Sequence, residues 1–382
     1  MGITGFYPLV KRECPEQLIE YHLSELSGFR VAVDISIFLY KYVRSAGKVQ
    51  WMNILLLLLC SLKKYGIKSV CVFDGPDAPE EKKNEKAHRK ETSEKQKARL
   101  KECIRIRNIL QDKYIFSDKE LPEYLIKECK LLICPRKGVP DMTNYANSAD
   151  IAESLNRTID RLKKQTLPIE EDHADLAKKL ICLMGLSVYQ AKGEAETLCA
   201  YLAMKGQVDA VLTEDTDVLA YECPLMLAFK DHKLGESKVY GIHRKSLCEA
   251  LGLTSGELTD LCIMMRCDYN RHNKEGKKES VLGFPPGAKN PQKIGPSKAF
   301  EMVKAYGRLE QIEKYLINPE PLKYRRCREI FSAQEIPKNT PCVPLNEPLD
   351  VKGLEKMIKK YRLTVGLDYI KKHWKQPEVV WT

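Results

Sequence analysis

Short runs of apolar residues recur along the chain, and acidic residues follow them. Val31–Val33 is followed by Asp34, Val70–Phe73 by Asp74, and the mainly apolar run 208–212 leads into an acidic segment. Apolar runs of this length, bounded by polar positions, predict short buried strands. Segments with helical periodicity separate them, so the pattern predicts an α/β fold with a central, mainly parallel sheet.

Helical patterns occupy much of the remaining chain. Residues 49–65 read as a core helix that ends at Gly66, 247–268 as a helix pair and 296–306 as a further helix. The intervening stretch 270–291 is polar and contains several Lys, Pro and Gly residues, which predicts a mobile loop.

The segment 82–107 has a different composition. It contains eleven Lys or Arg and four Glu, with no Gly or Pro and few core-forming residues. We expect a solvated basic helix here. After it, 110–167 combines an apolar patch (124–126 and 131–133) with a turn-rich stretch at 135–147.

Two pairs of acidic residues give the strongest chemical signal. Glu194 and Glu196 follow a glycine and open an amphipathic helix, where the helix dipole tolerates negative charge. Asp215 and Asp217 close the 208–212 run, and alternation along an extended chain would point both side chains the same way. Ligand sets made only of oxygen favour Mg2+ or Mn2+ over zinc.

Chance must be weighed against this interpretation. With 52 acidic residues in 382, roughly seven acid-x-acid triplets are expected at random, so one triplet alone carries no weight. Asp34 and Asp74 strengthen the case, because sites in open α/β sheets form beyond the carboxyl ends of the strands. The alternative is that these acids are scattered caps at strand ends.

The charge and the cysteines narrow the class of protein. The formal net charge of +11 suits a polyanionic partner, although a ribosomal or membrane-surface protein would share it. Fourteen cysteines are dispersed in apolar contexts without a C-x-x-C pair, which favours reduced thiols in an intracellular protein and argues against structural zinc. The apolar run 54–60 is too short to cross a bilayer.

Several motifs together resemble the flap endonuclease/XPG family, in the family's order and from Met1 to about Leu363. They are Met1-Gly2-Ile3-Thr4-Gly5-Phe6, Val31-Ala32-Val33-Asp34-Ile35-Ser36, Val72-Phe73-Asp74-Gly75, Gly193-Glu194-Ala195-Glu196, Thr213-Glu214-Asp215-Thr216-Asp217, Leu261-Cys262-Ile263-Met264-Met265-Arg266-Cys267-Asp268-Tyr269 and Ile294-Gly295-Pro296-Ser297-Lys298-Ala299. The resemblance implies a PIN-like 5′-nuclease fold with a helical arch insertion and a helix-two-turn-helix region.

In that family seven carboxylates hold two metal ions, and this chain has an acid at every matching position. For the first ion these are Asp74, Glu194, Glu196 and, partly through water, Asp34; for the second they are Asp215, Asp217 and Asp268. The resemblance implies two Mg2+ ions, with Mn2+ as a substitute. Setting these acids aside leaves 63 basic against 45 acidic residues, a net charge of +18.

Further residues acquire roles by the same resemblance. Lys82 and Arg89, seven residues apart on one helix face, match the arch residues that contact the scissile phosphate, although charges on such a helix are more often solvated. Tyr40 matches an aromatic that stacks on the base next to the cut, and a core position is the equal alternative. His88, His173 and His243 show no ligand spacing and are expected to be structural or surface residues.

The resemblance also implies a DNA-binding surface. Family members place the amine of Gly2 near bound DNA, and Gly295, Ser297 and Lys298 match the segment that grips duplex DNA, often with a monovalent ion such as K+. The loop inserted ahead of Gly295 puts that ion and the grip geometry in question.

The domain organisation implied is five consecutive or overlapping regions. They are an N-terminal nuclease region at 1–110, a helical arch with an extra insertion at 79–170, an internal nuclease region at 171–257, a helix-two-turn-helix region at 258–312 and a C-terminal core extension at 313–382. The alternative for the insertion is a separate binding module.

The resulting prediction is a Mg2+-dependent, structure-specific 5′ nuclease acting on 5′ flaps or other branched DNA in replication, repair or recombination. Within the class, a duplex-dependent 5′ exonuclease and a junction resolvase are the alternatives, and a related 5′ exoribonuclease comes after them; from another class, the alternative is a non-catalytic DNA-junction binder. We expect a monomer without membrane association, acting in the nucleus, with a viral replication site as the alternative.

Two departures from the family bear on partners and substrate. Residues 375–379 do not form the sliding-clamp motif, so recruitment by the clamp is not expected. The segment 41–52 contains no acidic residue but has Lys41, Arg44 and Lys48. We read it as a short basic loop, which cannot build the acidic pocket with which flap endonucleases bind one unpaired 3′ nucleotide.

Overall fold

The computed structural model describes residues 2–47, 49–114, 121–133, 148–168, 171–229, 237–273, 277–332 and 348–374. The turn-rich stretch 135–147 and the tail segment 375–379 lie outside these ranges. The chain divides into two compact units. The first comprises Met1–Tyr42, Val49–His88 and Glu170–Thr382, and the second Val43–Lys48 and Arg89–Ile169.

Seven of the described strands form one sheet in the first unit. They are β1 (Ile19–His22), β2 (Arg30–Asp34), β3 (Lys68–Phe73), β4 (Ser187–Gln190), β5 (Ala210–Leu212), β6 (Leu225–Phe229) and β7 (Lys238–His243). Their order is β1-β7-β6-β5-β2-β3-β4, in which β2 to β6 are parallel and the β7 pairings are antiparallel. The predicted α/β fold with a mainly parallel sheet is confirmed.

The strand order places a crevice beyond the carboxyl end of β2. The chain leaves β2 for β3 on one side and later returns as β5 on the other side, so the connections diverge there. Val31, Ala32 and Val33 in β2 are almost completely buried, as expected for a strand covered on both faces. Such a divergence point is where open α/β sheets bind ligands.

The helices surround this sheet or build the second unit. They are α1 (Phe6–Glu13), α2 (Ile35–Ala46), α3 (Gln50–Lys64), α4 (Glu80–Lys113), α5 (Glu123–Ile133), α6 (Ser148–Gln165), α7 (Glu171–Leu183), α8 (Ala195–Met204), α9 (Asp217–Ala220), α10 (Arg244–Leu251), α11 (Ser255–Met264), α12 (Pro296–Tyr306), α13 (Leu309–Ile312), α14 (Tyr324–Ser332), α15 (Val351–Tyr361) and α16 (Leu367–His373). The predicted core helix is α3, the basic helix is α4, and the helix at 296–306 is α12.

One prediction about a loop is wrong, and a second holds only in part. The segment 41–52 is mostly helical, because α2 continues to Ala46 and α3 begins at Gln50. The stretch 270–291 is not wholly a loop, since β8 (Leu282–Gly283) pairs antiparallel with β9 (Gln292–Lys293). In the β8–β9 pair, backbone N–H and C=O groups bond to each other, although the polar composition of the segment predicted that they would bond to water.

The second unit has an apolar core of its own. Side chains from the later part of α4, from α5 and from α6 form it, among them Cys103, Ile106, Leu125, Cys129 and Leu155. The Arg99 guanidinium donates to the carbonyl of Leu132 at 2.9 Å and so caps the end of α5. The segment after 110 therefore builds a packed helical unit with α4, while the boundaries of the five predicted regions stay a prediction.

The thiols agree with the prediction of a reduced protein. Every cysteine within the described ranges is a free thiol, and all but Cys182 are buried. None of the described helices is both long and apolar enough to span a bilayer.

A buried carboxylate holds the C-terminal helices to α11. Asp260 is fully buried and accepts hydrogen bonds from Arg308 Nε at 2.5 Å, from the Leu309 N–H at 3.2 Å and from Arg328 Nε at 2.7 Å. We expect Asp260→Ala to lower the free energy of unfolding by about 3 kcal/mol, because two guanidinium groups lose their shared anion. Urea unfolding followed by circular dichroism measures this change.

The matched control is Glu310→Gln, which removes the other acidic partner of Arg328. Glu310 is about half exposed, so its loss should cost less than about 1 kcal/mol. Equal effects of the two substitutions would contradict a structural role for Asp260.

Candidate active site

Two of the predicted acids lie where β2 and β3 end. Asp34 is the last residue of β2 and is 2 % exposed. Its Oδ1 accepts from the Ile37 N–H at 3.3 Å and its Oδ2 accepts from Thr213 Oγ1 at 2.9 Å. Asp74 directly follows β3, and its Oδ1 accepts from the Ala195 N–H at 2.9 Å. The Ala195 bond links the end of β3 to the start of α8.

The Glu194 and Glu196 pair is held in place by close backbone packing. Glu194 has extended dihedrals as the N-cap of α8, and Glu196 lies in its first turn. The Gly75 N–H donates to the Gly193 carbonyl at 2.6 Å, and a Cβ at Gly75 would collide with the carbonyl oxygen of Ala191. Glycine is required at position 75 for this approach. Both glutamates are more than 90 % buried.

Asp215 and Asp217 converge by a route that differs from the predicted one. β5 ends at Leu212, Thr216 has helical dihedrals and Asp217 is the first residue of α9. Asp215 Oδ1 accepts from the Asp217 N–H at 3.0 Å, so a side-chain-capped turn brings the two together. The prediction that both extend one strand is wrong, because the chain turns as soon as it leaves the sheet.

Asp268 completes the set. It follows α11 in sequence and is 1 % exposed, and its backbone N–H donates to Asp217 Oδ2 at 3.2 Å. The other oxygen of Asp217, Oδ1, is buried and accepts no hydrogen bond from any described residue. A buried carboxylate oxygen without a donor is costly unless a cation occupies the site.

Lys82 provides the positive charge among these acids. It projects from the first turn of α4, is 6 % exposed, and its Nζ pairs with Glu194, with Glu196 at 3.3 Å and with Asp268 at 3.2 Å. With the side chains as they stand, no group of three His, Cys, Asp or Glu in the described ranges has the geometry of a metal site. The Lys82 ammonium thus contacts three of the acids to which the family resemblance assigns metal ions.

The pKa values express the crowding of the acids. Burial and then the Asp268 charge raise the pKa of Asp215 to about 6. Burial also raises the pKa of Glu196 to about 7 even though Lys82 acts to lower it. The pKa values of Asp34 and Asp217 lie well above the ordinary range, owing first to burial and then to neighbouring acids.

Asp74 and Lys82 follow the same electrostatics. The pKa of Asp74 is raised by loss of hydration and by Glu196. Burial alone would lower the pKa of Lys82, but attraction to Glu196, Glu194 and Asp268 outweighs it and raises that pKa well above its usual value. The charges of all seven acids thus belong to one connected group.

These residues fit a site for hard divalent cations. The donors are carboxylate oxygens only, one of them buried without a hydrogen-bond partner, and their crowding is the kind that a cation relieves. The seven residues are all Asp or Glu, without the His or Cys ligands that zinc prefers. The assignment of each acid to one of two ions stays a prediction.

The other predicted site residues lie at several places. Gly2, at φ +83°, has no room for a side chain, because a Cβ would collide with Asp215 Oδ1 and Thr216. Tyr40 is 42 % exposed, so its alternative as a core residue is wrong. Arg89 lies on α4 in the second unit, and its contact with a scissile phosphate stays a prediction.

The predicted duplex-binding residues gather at the start of α12. Gly295 is the N-cap, with open space where a Cβ would be. Ser297 Oγ accepts from Arg12 Nη1 at 2.6 Å, and Lys298 Nζ contacts Gln292 Oε1. Their roles toward DNA and K+ stay predictions.

Sequence reasoning missed several residues around the acids. Thr213 donates a hydrogen bond to Asp34. Lys41, which was predicted to lie in a basic loop, pairs with Glu214. Arg271 Nη1 lies 3.1 Å from Asp268 Oδ1. His272 and Glu85 form a buried contact at 2.6 Å. The only signal for Arg271 was its position three residues after Asp268, which is too common a spacing to notice.

Two family models match the chain where these residues lie. The one described as the XPG N-terminal domain matches residues 1–96, and the one described as the XPG I-region matches 185–268. Between them they include all seven acids and Lys82. These matches support the flap endonuclease/XPG family for this chain.

Individual family members are distant in sequence but similar in length and fold. Flap endonuclease 1 of Debaryomyces hansenii is 28 % identical over 404 residues, covering 97 % of this chain and 88 % of the relative. "Probable RAD2-like endonuclease 076L" of Invertebrate iridescent virus 3 is 27 % identical over 361 residues, covering 88 % and 86 %.

Solved structures of the family share the fold. The catalytic core of Rad2 in complex with DNA substrate is 17 % identical with a TM-score of 0.58, covering 94 % of this chain and 95 % of that one. Human GEN1 in complex with Holliday junction DNA is 16 % identical with a TM-score of 0.55, covering 98 % and 78 %. The predicted PIN-like nuclease fold is confirmed.

Glu196→Gln tests the crowding of the acids in metal-free protein. A pKa raised to about 7 means that the folded state holds the proton more tightly than the unfolded chain. The stabilising effect of that proton is complete below the unfolded pKa, near 4.5, and is lost as the pH rises to about 7. In EDTA, the difference in Tm between Glu196→Gln and wild type should therefore rise by a few degrees from pH 5 to pH 7.5.

The exposed residue Glu301 gives the control substitution, Glu301→Gln, measured under the same conditions. A Tm difference for Glu196→Gln that is constant or falls over this pH range would contradict a raised pKa at Glu196.

Proposed function

We propose that this chain is a divalent-cation-dependent, structure-specific 5′ nuclease that hydrolyses phosphodiester bonds in branched DNA. The observation that carries the proposal is the group of seven acids from separate parts of the chain, six of them buried, of which three pair with the Lys82 ammonium. The names of its relatives, flap endonuclease 1 and a RAD2-like endonuclease, support a nuclease of DNA.

Asp34, Asp74, Glu194 and Glu196 would hold one Mg2+ ion, and Asp215, Asp217 and Asp268 a second. Bound ions of this kind lower the pKa of the attacking water and neutralise charge on the leaving oxygen. In the reaction a water oxygen forms a bond to phosphorus, the phosphorus–oxygen bond to the leaving strand breaks, and the leaving oxygen takes up a proton. One product then ends in a phosphate and the other in a hydroxyl.

The protein's own residues would orient the metal-binding carboxylates and neutralise charge on the reacting phosphate. The Ala195 N–H fixes one oxygen of Asp74, so the other oxygen is presented in a defined direction. The Ile37 N–H and Thr213 each engage one oxygen of Asp34, which fixes the plane of that carboxylate. Lys82 pairs directly with three of the acids and would offset the charge that develops on the reacting phosphate. Arg89 would do so as well by the family resemblance.

The electrostatics argue against a protein that only binds DNA junctions. Keeping Asp215 and Glu196 buried among other acids raises their pKa values, and this costs stability when they ionise near neutral pH. A binding protein gains nothing from that cost, whereas a cation-dependent enzyme needs it. The net charge of +11 is available for DNA binding in either case.

Asp215→Asn is the direct test of the proposal. We expect the cleavage rate of a labelled 5′-flap duplex in Mg2+ to fall by at least about 100-fold, because one ligand carboxylate is lost. Binding of the same duplex in Ca2+ should stay within a few fold, since the basic surface is unchanged. Gel-based cleavage and fluorescence anisotropy measure the two quantities.

Asp209→Asn is the matched control, because Asp209 is more exposed and pairs with Arg30 at 2.6 Å, outside the group of acids. It should cleave at nearly the wild-type rate. If Asp215→Asn cleaves as fast as wild type, the assignment of the active site is refuted. A parallel loss of binding and cleavage would indicate misfolding, which circular dichroism detects.

The segment 41–52 bears on which kind of branched DNA substrate the protein prefers. Lys41 is engaged with Glu214, and the connection between α2 and α3 is only a few residues long. Neither can form an acidic pocket for an unpaired 3′ nucleotide. We expect that adding one such nucleotide to a 5′-flap substrate changes kcat/KM by less than about tenfold, equivalent to under about 1.4 kcal/mol.

A panel of flap, nick, gap, four-way-junction and RNA substrates under the same conditions gives the comparison. A gain much above tenfold from the 3′ nucleotide would show that another segment forms the pocket. Preference for the four-way junction would favour the resolvase alternative, for which the fold similarity to human GEN1 is the relevant observation.

A further inference from the structure

Three residues at the start of α4 share one helix face and reach toward the acids. Lys82, Glu85 and His88 are spaced by three residues, and Lys82 and Glu85 are buried. Lys82 contacts the acids directly, whereas Glu85 and His88 contact His272 in the segment that follows Asp268. All of them belong to the first unit. The nuclease chemistry described above uses only Lys82.

Arg271 connects this face to Asp268. Its Nη1 lies 3.1 Å from Asp268 Oδ1 and 4.0 Å from Glu85 Oε1, and its Nη2 donates to the Gly2 carbonyl. The other oxygen of Asp268 pairs with Lys82 at 3.2 Å. Arg271 therefore sets the orientation of Asp268 about its side chain, and Glu85 is a second acid close to the same Arg271 nitrogen.

His272 is arranged as a neutral imidazole. Its Nδ1 lies 2.6 Å from Glu85 Oε2, and because an ionised carboxylate can only accept, we assign the proton to Nδ1. Its Nε2 is buried and has no hydrogen-bond partner among the described residues. The same is true of Nδ1 of His88. The two rings are stacked, with centroids 4.0 Å apart and planes 17° apart.

We propose that Arg271 is a positioning residue for Asp268, and that the Glu85–His272–His88 array fixes it in a pH-sensitive manner. The inference rests on the proposed function, because it assumes that Asp268 takes part in binding divalent cations. Arg271 acts through Asp268 and the array acts through Arg271. Groups that orient a ligand in this way typically change metal affinity by 10- to 100-fold when they are removed.

Protonation should open the array. A proton on His272 Nε2 would place a charged N–H in a buried position without an acceptor, beside the Arg271 guanidinium and the His88 ring. Among the described residues, Glu85 favours the protonated form, whereas His88 and Arg271 disfavour it. Burial outweighs the effect of Glu85 and lowers the pKa of His272 below its usual 6.5.

The direction of the pH dependence follows from that shift. A histidine whose pKa is lowered by folding contributes stability above pH 6.5, and that contribution is lost as the pH falls through the lowered pKa. The array is therefore closed at neutral and alkaline pH. Below the lowered pKa of His272, the contact between Glu85 and His272 is broken. Glu85 then no longer holds Arg271 in place from α4.

The test measures Ca2+ affinity of the full chain by isothermal titration calorimetry from pH 8.0 to pH 5.5. The variant is His272→Gln, and the matched control is His243→Gln, whose ring contacts Tyr21 away from the acids. We expect the Kd of His272→Gln to exceed that of wild type by about tenfold at pH 8.0. That ratio should fall by at least about threefold as the pH is lowered below 6.5 and the wild-type array opens.

Taking the ratio removes the titration of the acids themselves, because protonation of Glu196 or Asp215 weakens Ca2+ binding in both proteins. A ratio near one at every pH would overturn the proposal. A ratio that stays constant at tenfold would also overturn it, since a purely structural role has no pH dependence. The His243→Gln ratio should be near one throughout.

Two further variants keep the test decisive. If His272→Gln is misfolded by circular dichroism, Glu85→Gln replaces it and should give the same pH-dependent ratio. Arg271→Met should raise the Kd by a similar factor, but without the pH dependence. If wild type binds no Ca2+ at all, the proposed function itself fails, whereas normal wild-type binding with unchanged variants refutes only the positioning role.

Discussion

The acids at the carboxyl edge of the sheet repel one another, and the surrounding structure must offset this repulsion. Burial makes this repulsion stronger, because the protein interior screens charge less than water does. The raised pKa values of Asp34, Asp215, Asp217 and Glu196 record it. Any folded state of this chain must therefore either keep protons on these acids or place cations among them.

The protein supplies two such cations from its own sequence. Lys82 pairs with Glu194, Glu196 and Asp268, and Arg271 pairs with Asp268. Because Lys82 lies on α4, the electrostatic balance of the sheet edge depends on where that helix begins. The same helix continues into the second unit, whose apolar core is formed with α5 and α6. A single element thus serves both the charge balance of one unit and the packing of the other.

Family membership and local physics answer different questions about this site. Membership accounts for the acids and for the fold, which the chain shares with relatives of low sequence identity. The stacked pair of His88 and His272 with Glu85 is a matter of packing in this chain, where each residue is buried against the others. Its proposed effect on Asp268 requires no motif, only a guanidinium shared between two acids.

The sequence alone determined the class of fold, the main helices and the identity of the acids. Apolar runs and helical periodicity depend on neighbours within a few residues, so β2, β3, α3, α4 and α12 could be predicted from the chain itself. The family motifs then named the seven acids and Lys82. The sequence could not give the turn that joins Asp215 to Asp217, because the end of β5 depends on how far its neighbours extend.

Tertiary structure alone decided which distant residues complete the site. Arg271 reaches Gly2 across 269 positions, and His272 reaches Glu85 across 187. It also replaced the expected basic loop at 41–52 by helix and gave Lys41 an acidic partner. The physical reason is the same in each case: side-chain charge and periodicity are local properties, whereas desolvation and ion pairing depend on the whole packed chain.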